Sequence, residues 1–321
     1  MLLAEELNKI PNWSLKWDIN RWCDYIELRC LGGKDKIITK DEVIDCFLQD
    51  KEDKGQENYA SSLDKLTAEV DDLFNQIRYR SNNIDVFYPF NYEIDCLTKK
   101  DNIDKNMTQY IFLLVASSTV FIDRSSMILI AKEFEEYCVA VFKYLVSEDS
   151  EVHIFGTSRK QSIFRGNLRT RIEKLASCLG AQTTKAFDND KQFDVPGGDE
   201  GIDMVAFNKI DDTSHIPVAF GQCTCSYSKW QVKQEEINQD AWVQKIMPLA
   251  PFGKYMFVSF FCRDAIGRFE NPTTITTCLI DRLRILKIIN KHHCIYDGID
   301  CEDQRRKLVE CCGEDFTNGI Y

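Results

Sequence analysis

The sequence predicts an α/β protein: a core of strands and helices, preceded by a mainly helical amino-terminal region. Three observations carry that prediction. Apolar residues recur every three to four positions through most of residues 19–146, the spacing of helices that bury one face. Beyond residue 150 the pattern changes to short continuous apolar runs at 202–207, 216–220 and 255–262, which read as strands buried on both sides. Helical spacing at 162–179 precedes these runs and at 230–246 separates the last two, and strands alternating with helices belong to an α/β core. Two domains are therefore expected, 1–150 and 151–321.

In order, Ile19, Trp22, Tyr25, Ile26 and Leu28 predict a first helix ended by Gly32-Gly33, behind Trp13, Leu15 and Trp17. Thr39 followed by Asp41-Glu42 starts a second, and 50–60 is a polar linker. Ser61 or Ser62 caps a third helix through Leu63, Leu66, Val70, Leu73, Phe74 and Ile77. The aromatic stretch 86–94 reads as a loop with one short strand. Helices follow at 108–118 and 125–146, then a strand at 152–155, a helix at 162–179 and a strand at 181–187. After the two central strands come a helix over 230–246, limited by Pro248, a strand at 255–262, another at 273–278 and a helix at 279–289.

Composition narrows the function classes. The 321 residues are 44% hydrophobic, with 20 Phe, 12 Tyr and 5 Trp, which permits a substantial core. The most apolar segments, 110–120 and 127–131, are too short to span a membrane, and acids follow Met-Leu-Leu-Ala where a secretory signal needs basic residues. A cytoplasmic protein without membrane contact is the expectation. The formal charge of -11 argues against an indiscriminate nucleic-acid coat, although one local basic face still suffices for a nuclease. The 14 cysteines are irregularly spaced and read as small buried hydrophobes. His292, His293, Cys294, Cys301, Cys311 and Cys312 lack a Cys-x2-Cys knuckle, which argues against zinc.

The chemistry concentrates between residues 197 and 233. A glycine-rich turn leads into the first central strand with Asp203 at its start, and Gln222 ends the second. Two oxygen ligands can then converge beside one sheet, and Lys233 follows on the segment that leaves it. Phosphodiester hydrolysis with Mg2+ (or Mn2+) needs such hard oxygen ligands and a nearby positive group. Asp203, Gln222 and the Cys223 backbone carbonyl are the candidate metal ligands, and Lys233 is the candidate cation, ahead of Lys229.

This arrangement resembles the PD-(D/E)xK, or restriction-endonuclease-like, nuclease superfamily over residues 155–290. Its pattern is Asp on one strand, then Glu or Gln, any residue, and Lys on the next. Asp203 and Gln222 match, but Thr224 stands where Lys is expected. The stretch Gln222-Cys-Thr-Cys-Ser-x-x-Lys-Trp-x-x-Lys233 resembles the variant with the lysine moved to the following helix. The resemblance also implies an acid on the helix before the sheet, for which Glu173 is the candidate. It implies a restriction-endonuclease-like mixed sheet and a magnesium-dependent DNA endonuclease, a subunit of a bacterial anti-phage defence complex. A partner protein then supplies recognition or ATPase activity, since the sequence has no Gly-x-x-x-x-Gly-Lys-Ser/Thr loop. Self-association is a further expectation.

Each residue also has a structural reading. Asp203 is equally a turn former, Gln222 a partner for backbone at a sheet edge, Lys233 part of a solvated helix face, and Glu173 a partner of Arg169. Asp281, Arg282 and Arg284 either bind the end of a strand or contact phosphates. Phe87, Tyr88, Phe90 and Tyr92 either fill a core or stack on bases. His153 and His215 stand alone, and Cys223 and Cys225 leave a thiol enzyme as a remote alternative. The main rival function is a nuclease-fold scaffold or sensor that no longer cuts.

Overall fold

A computed structural model describes residues 18–32, 36–52, 59–156, 162–194 and 198–293. The expectations for Trp13, Leu15, Trp17, Gly33, most of the 50–60 linker, Gly197, Cys294, Cys301, Cys311 and Cys312 lie outside these residues. The chain forms two compact units, Met1–Ile130 with Ser259–Glu270 and Asp281–Tyr321, and Ala131–Val258 with Asn271–Ile280. The expected cut at 150/151 falls within the second.

The first unit opens with α1 (Ile19–Gly32), which buries Trp22, Ile26 and Leu28. Strand β1 (Ile37–Thr39) leads into α2 (Lys40–Glu52), where the Thr39 hydroxyl accepts from the Glu42 N–H at 3.2 Å. Helix α3 (Tyr59–Ile84) runs a turn or more beyond its apolar pattern. Its buried stripe is Leu66, Val70, Leu73 and Ile77, continued by Arg80 and Ile84, so a buried arginine disguises the last repeat. The aromatic stretch is a hairpin of β2 (Phe90–Glu93) and β3 (Cys96–Lys99), with β1 completing an antiparallel sheet in the order β1-β3-β2. Its turn, Ile94-Asp95, has φ of 31° and 58°, a conformation usually signalled by Asn or Gly, which is why the sequence suggested one strand. Phe87, Tyr88 and Phe90 are buried in this unit's core rather than offered to bases. Helix α4 (Lys105–Ser117), capped by Asp104, is buried from Gln109 to its end.

Helix α5 (Arg124–Phe142) carries the chain into the second unit. There follow β4 (Glu151–Ile154), α6 (Leu168–Cys178), β5 (Gln182–Thr183) and α7 (Lys185–Asn189). Then come β6 (Met204–Phe207), β7 (Val218–Thr224), α8 (Trp230–Lys233), α9 (Gln239–Val243), β8 (Ile246–Met247), β9 (Gly253–Val258) and β10 (Cys278–Ile280). The main sheet is five-stranded, in the order β10-β9-β7-β6-β4. Strands β4, β6 and β7 pair antiparallel, and β7, β9 and β10 pair parallel, so the sheet is mixed. On one face Val218 and Phe220 pack with Val205, Ile172, Trp242 and Phe252. On the other, a Cβ at Gly221 would lie 3.0 Å from the Met204 methyl and 3.4 Å from Phe142, so glycine is what lets α5 cover this face closely.

Four expected elements differ. The strand of 273–278 is displaced: Pro272–Thr274 is a 3-10 turn and the strand is β10, Cys278–Ile280. The helix of 162–179 starts at Leu168, because Ser162 accepts from the Phe164 N–H at 3.0 Å and Asn167 provides the cap. The strand of 181–187 shrinks to β5, because Thr184 caps α7. The single helix of 230–246 is broken after Lys233 by the 3-10 turn Gln234–Glu236. Gln234 turns inward, donating to the Thr274 carbonyl at 3.1 Å and accepting from Thr276 N–H and the Thr277 hydroxyl at 3.1 and 2.8 Å. Asn238 then caps α9.

Back in the first unit, α10 (Arg282–His292) is capped by Asp281. Arg282 is fully buried: it donates to Asp24 at 2.7 and 3.0 Å and to the Ser259 carbonyl at 2.8 Å. Its phosphate-binding alternative is thereby corrected, since a guanidinium enclosed by a carboxylate and a carbonyl has no face left for phosphate. Arg80 bridges Asp24 and Glu27 at 2.7 and 2.9 Å, and Glu27 also accepts from Tyr88 and Tyr110. Burial favours the protonated form of Asp24, but Arg282 and Arg80 outweigh it and hold the carboxyl below its ordinary range. Among the described residues, no helix is long and apolar enough to cross a membrane.

Candidate active site

The site is built where the glycine-rich turn meets β7. Asp199 accepts from the Gly201 N–H at 3.0 Å, closing a tight turn that delivers Ile202 to the core and Asp203 to the head of β6. Asp203 is pinned on three sides by backbone. Its N–H donates to the Gly221 carbonyl at 2.9 Å and its carbonyl accepts from Phe155 N–H at 2.7 Å. Its carboxylate Oδ2 accepts from Cys223 N–H at 2.6 Å. Asp203 therefore grips the two residues flanking Gln222 and leaves Oδ1 as the outer carboxylate oxygen.

Gln222 is 3% exposed. Its Nε2 donates to Glu236 Oε2 at 2.6 Å, while Oε1 is buried without a hydrogen-bond partner. A buried amide oxygen left bare is costly, on the order of 1–3 kcal/mol. A ligand that offers it a positive partner removes that cost.

The electrostatics are those of a site with surplus negative charge. Burial, and then the charge of Glu135, push the Asp203 carboxyl up to about 7; Asp199 adds to this, while the Cys223 N–H and the Lys233 ammonium oppose it. Lys233 is half-buried in the last turn of α8. Lys229 is exposed and serves as the left-handed residue before that helix, with φ 61°.

The structure thus joins Asp203 to the Cys223 N–H and to the strand that carries Gln222, and the Lys233 ammonium lowers the Asp203 carboxyl from α8. Glu173 stands elsewhere: it is exposed on α6, and its charge acts on Arg169. The helix acid that acts on Asp203 is Glu135, on α5, the helix just before the first strand of the sheet. Sequence reasoning missed it because α6, inserted between β4 and β6, presented the more obvious amphipathic pattern. It stands on α5 one helical turn before Cys138, whose thiol is among the groups that raise the Cys223 thiol. Glu236 was also missed, because a continuous helix over 230–246 would have aimed it differently.

The alternatives resolve by contact. Thr224, in the expected lysine position, accepts from the Ser226 N–H at 3.2 Å and so shapes the turn that leaves β7. His153 bonds to Glu151 and stacks on Phe207, and His215 bonds to its neighbour Ser214. The Cys223 thiol is raised well above its ordinary range by burial and by Cys138, the reverse of an activated nucleophile.

The oxygen donors fit a hard divalent cation: a carboxylate whose negative form is disfavoured by burial and by other acids gains from a positive charge, and Oε1 gains a partner. Among the described residues, no group of three or more His, Cys, Asp and Glu could hold a metal ion; the donors around Asp203 are instead an amide and a backbone carbonyl. Comparison with protein-family models, curated proteins and solved structures finds no match to this chain.

Proposed function

We propose that the chain is a metal-dependent DNA endonuclease of the PD-(D/E)xK, restriction-endonuclease-like kind. The observation that carries the reading is Asp203 bonded to the backbone on either side of Gln222, whose own Oε1 is buried and unpartnered. The mixed sheet, the acid of the preceding helix and the lysine of the following one support it.

Asp203, Gln222 Oε1 and the Cys223 carbonyl would hold Mg2+ or Mn2+, with Glu135 close enough to add to the field. Such an ion supplies positive charge to a phosphate and makes water more acidic. The protein's own residues do the rest. Lys233 offers a positive group toward a phosphate near Asp203 and stabilises the charge that grows on it. The Cys223 N–H holds Oδ2, so Asp203 cannot swing away. The proposal includes DNA as substrate and a partner protein that supplies recognition or motor activity in an anti-phage complex, with self-association as its further element.

The test is incubation of the chain with DNA and magnesium beside Asp203→Ala. Cleavage by the wild type and a loss of at least about a hundredfold in the variant are expected, the scale of losing a principal charge-stabilising group. Equal cleavage by both proteins would place the chemistry elsewhere. One observation favours a second reading, a scaffold or sensor that binds without cutting: Thr224 occupies the lysine position and is engaged in a turn. That reading predicts DNA or partner binding with no magnesium-dependent product.

A further inference from the structure

The two ends of the Gln222 amide differ chemically, and one neighbour decides which end is bonded and which is left free. Nε2 meets Glu236 Oε2 at 2.6 Å. A carboxylate has only acceptors, so the group facing it is the NH2, and the amide oxygen is turned the other way. That oxygen is the buried, unpartnered Oε1, on the residue between the two that Asp203 grips.

Glu236 is in turn fixed by the turn that carries Asp203. Gly201 has φ +75°, and a Cβ there would lie 2.6 Å from both the Cβ and the carbonyl oxygen of Glu236. Only glycine permits this approach, and Gly201 stands two residues before Asp203. The break after Lys233 completes the arrangement, because it brings Glu236 back over the end of β7.

We propose that Glu236 is a positioning residue which locks the Gln222 amide with its oxygen, and not its NH2, presented as a cation ligand beside Asp203. The proposal rests on the metal-site reading above and deepens it. It also accounts for Gln where the superfamily pattern allows Glu: a carboxylate at 222 would face Glu236 acceptor to acceptor, whereas the amide is held by that acid and gives the site an oxygen without a further negative charge.

Mn2+ binding to the full chain, measured by calorimetry at fixed pH with thermal melts as the folding control, tests it. Asp203→Asn should abolish binding. Glu236→Leu removes the acceptor and should weaken binding about tenfold, the scale of one charge-assisted hydrogen bond. Glu236→Gln retains an acceptor for Nε2 and should bind within about twofold of wild type. Wild-type affinity in Glu236→Leu would overturn the proposal. So would an equal loss in Glu236→Gln, since the acid would then act by its charge alone. Should Glu236→Leu fail to fold, the swap decides: Gln222→Glu should bind weakly, and adding Glu236→Gln to it should recover binding, with no recovery counting against the idea. No Mn2+ binding by the wild type, or binding indifferent to Asp203→Asn, would instead remove the metal site itself and this proposal with it.

Discussion

Asp203 is where local chemistry is most exposed to measurement. Its carboxyl is pushed from an ordinary 3.8 to about 7, burial being the first cause and Glu135 the second. Between those values the folded protein keeps a proton that the unfolded chain has released, so stability is lost as pH rises from about 4 through about 7. Without divalent ions, Asp203→Asn should therefore match the wild type near pH 3.5 and exceed it by roughly 2–4 kcal/mol at pH 8 in urea unfolding. Magnesium should narrow the gap at pH 8 by stabilising the wild type. A gap independent of pH would show that the carboxyl is not held protonated. Asp203 and Gln222 were legible in sequence because each sits at the end of an apolar run. Glu135 and Glu236 were not, because a charged residue on a partly exposed helix or turn gives no pattern until the sheet and the break in the helix are known.

At the scale of elements, side chains turned inward overrule apolar periodicity. Trp230, Ile237, Trp242 and Ile246 suggested one continuous helix, yet Gln234 is 1% exposed and forms three bonds to the 274–277 segment. A buried glutamine looks like an ordinary helix-surface residue in sequence, and its partners lie some 40 positions away. Gln234→Ala should cost about 2–3 kcal/mol, since the Thr276 N–H and the Thr274 carbonyl lose their partner. It should also weaken divalent-ion binding, because the turn that places Lys233 and Glu236 loosens. Unchanged stability and unchanged ion binding would mean that the break is held by other contacts. The same effect hid the last repeat of α3, where Arg80 takes an apolar position; the β2-β3 hairpin was hidden differently, by an exposed turn of Ile94 and Asp95 in place of Asn or Gly.

For the whole molecule, the α/β class and the principal strands could be read from run length, because burial on both faces leaves a continuous apolar signature. The division into units could not. The first unit gathers α1 to α4 with Ser259–Glu270 and α10 through Asp24, Arg80 and Arg282, residues separated by up to 258 positions. Such an ion cluster carries no sequence periodicity, and for Arg282 the sequence left strand-end binding and phosphate contact as alternatives. The second unit holds the sheet and every residue assigned to the site, so its chemistry can be judged within one compact body. The most direct measurement is the anomalous signal of crystals grown with Mn2+. A peak is expected at about 2.2 Å from Asp203 Oδ1 and Gln222 Oε1, the distance of a metal-oxygen bond. Ions found only elsewhere, with Gln222 Oε1 still unpartnered, would contradict the metal site.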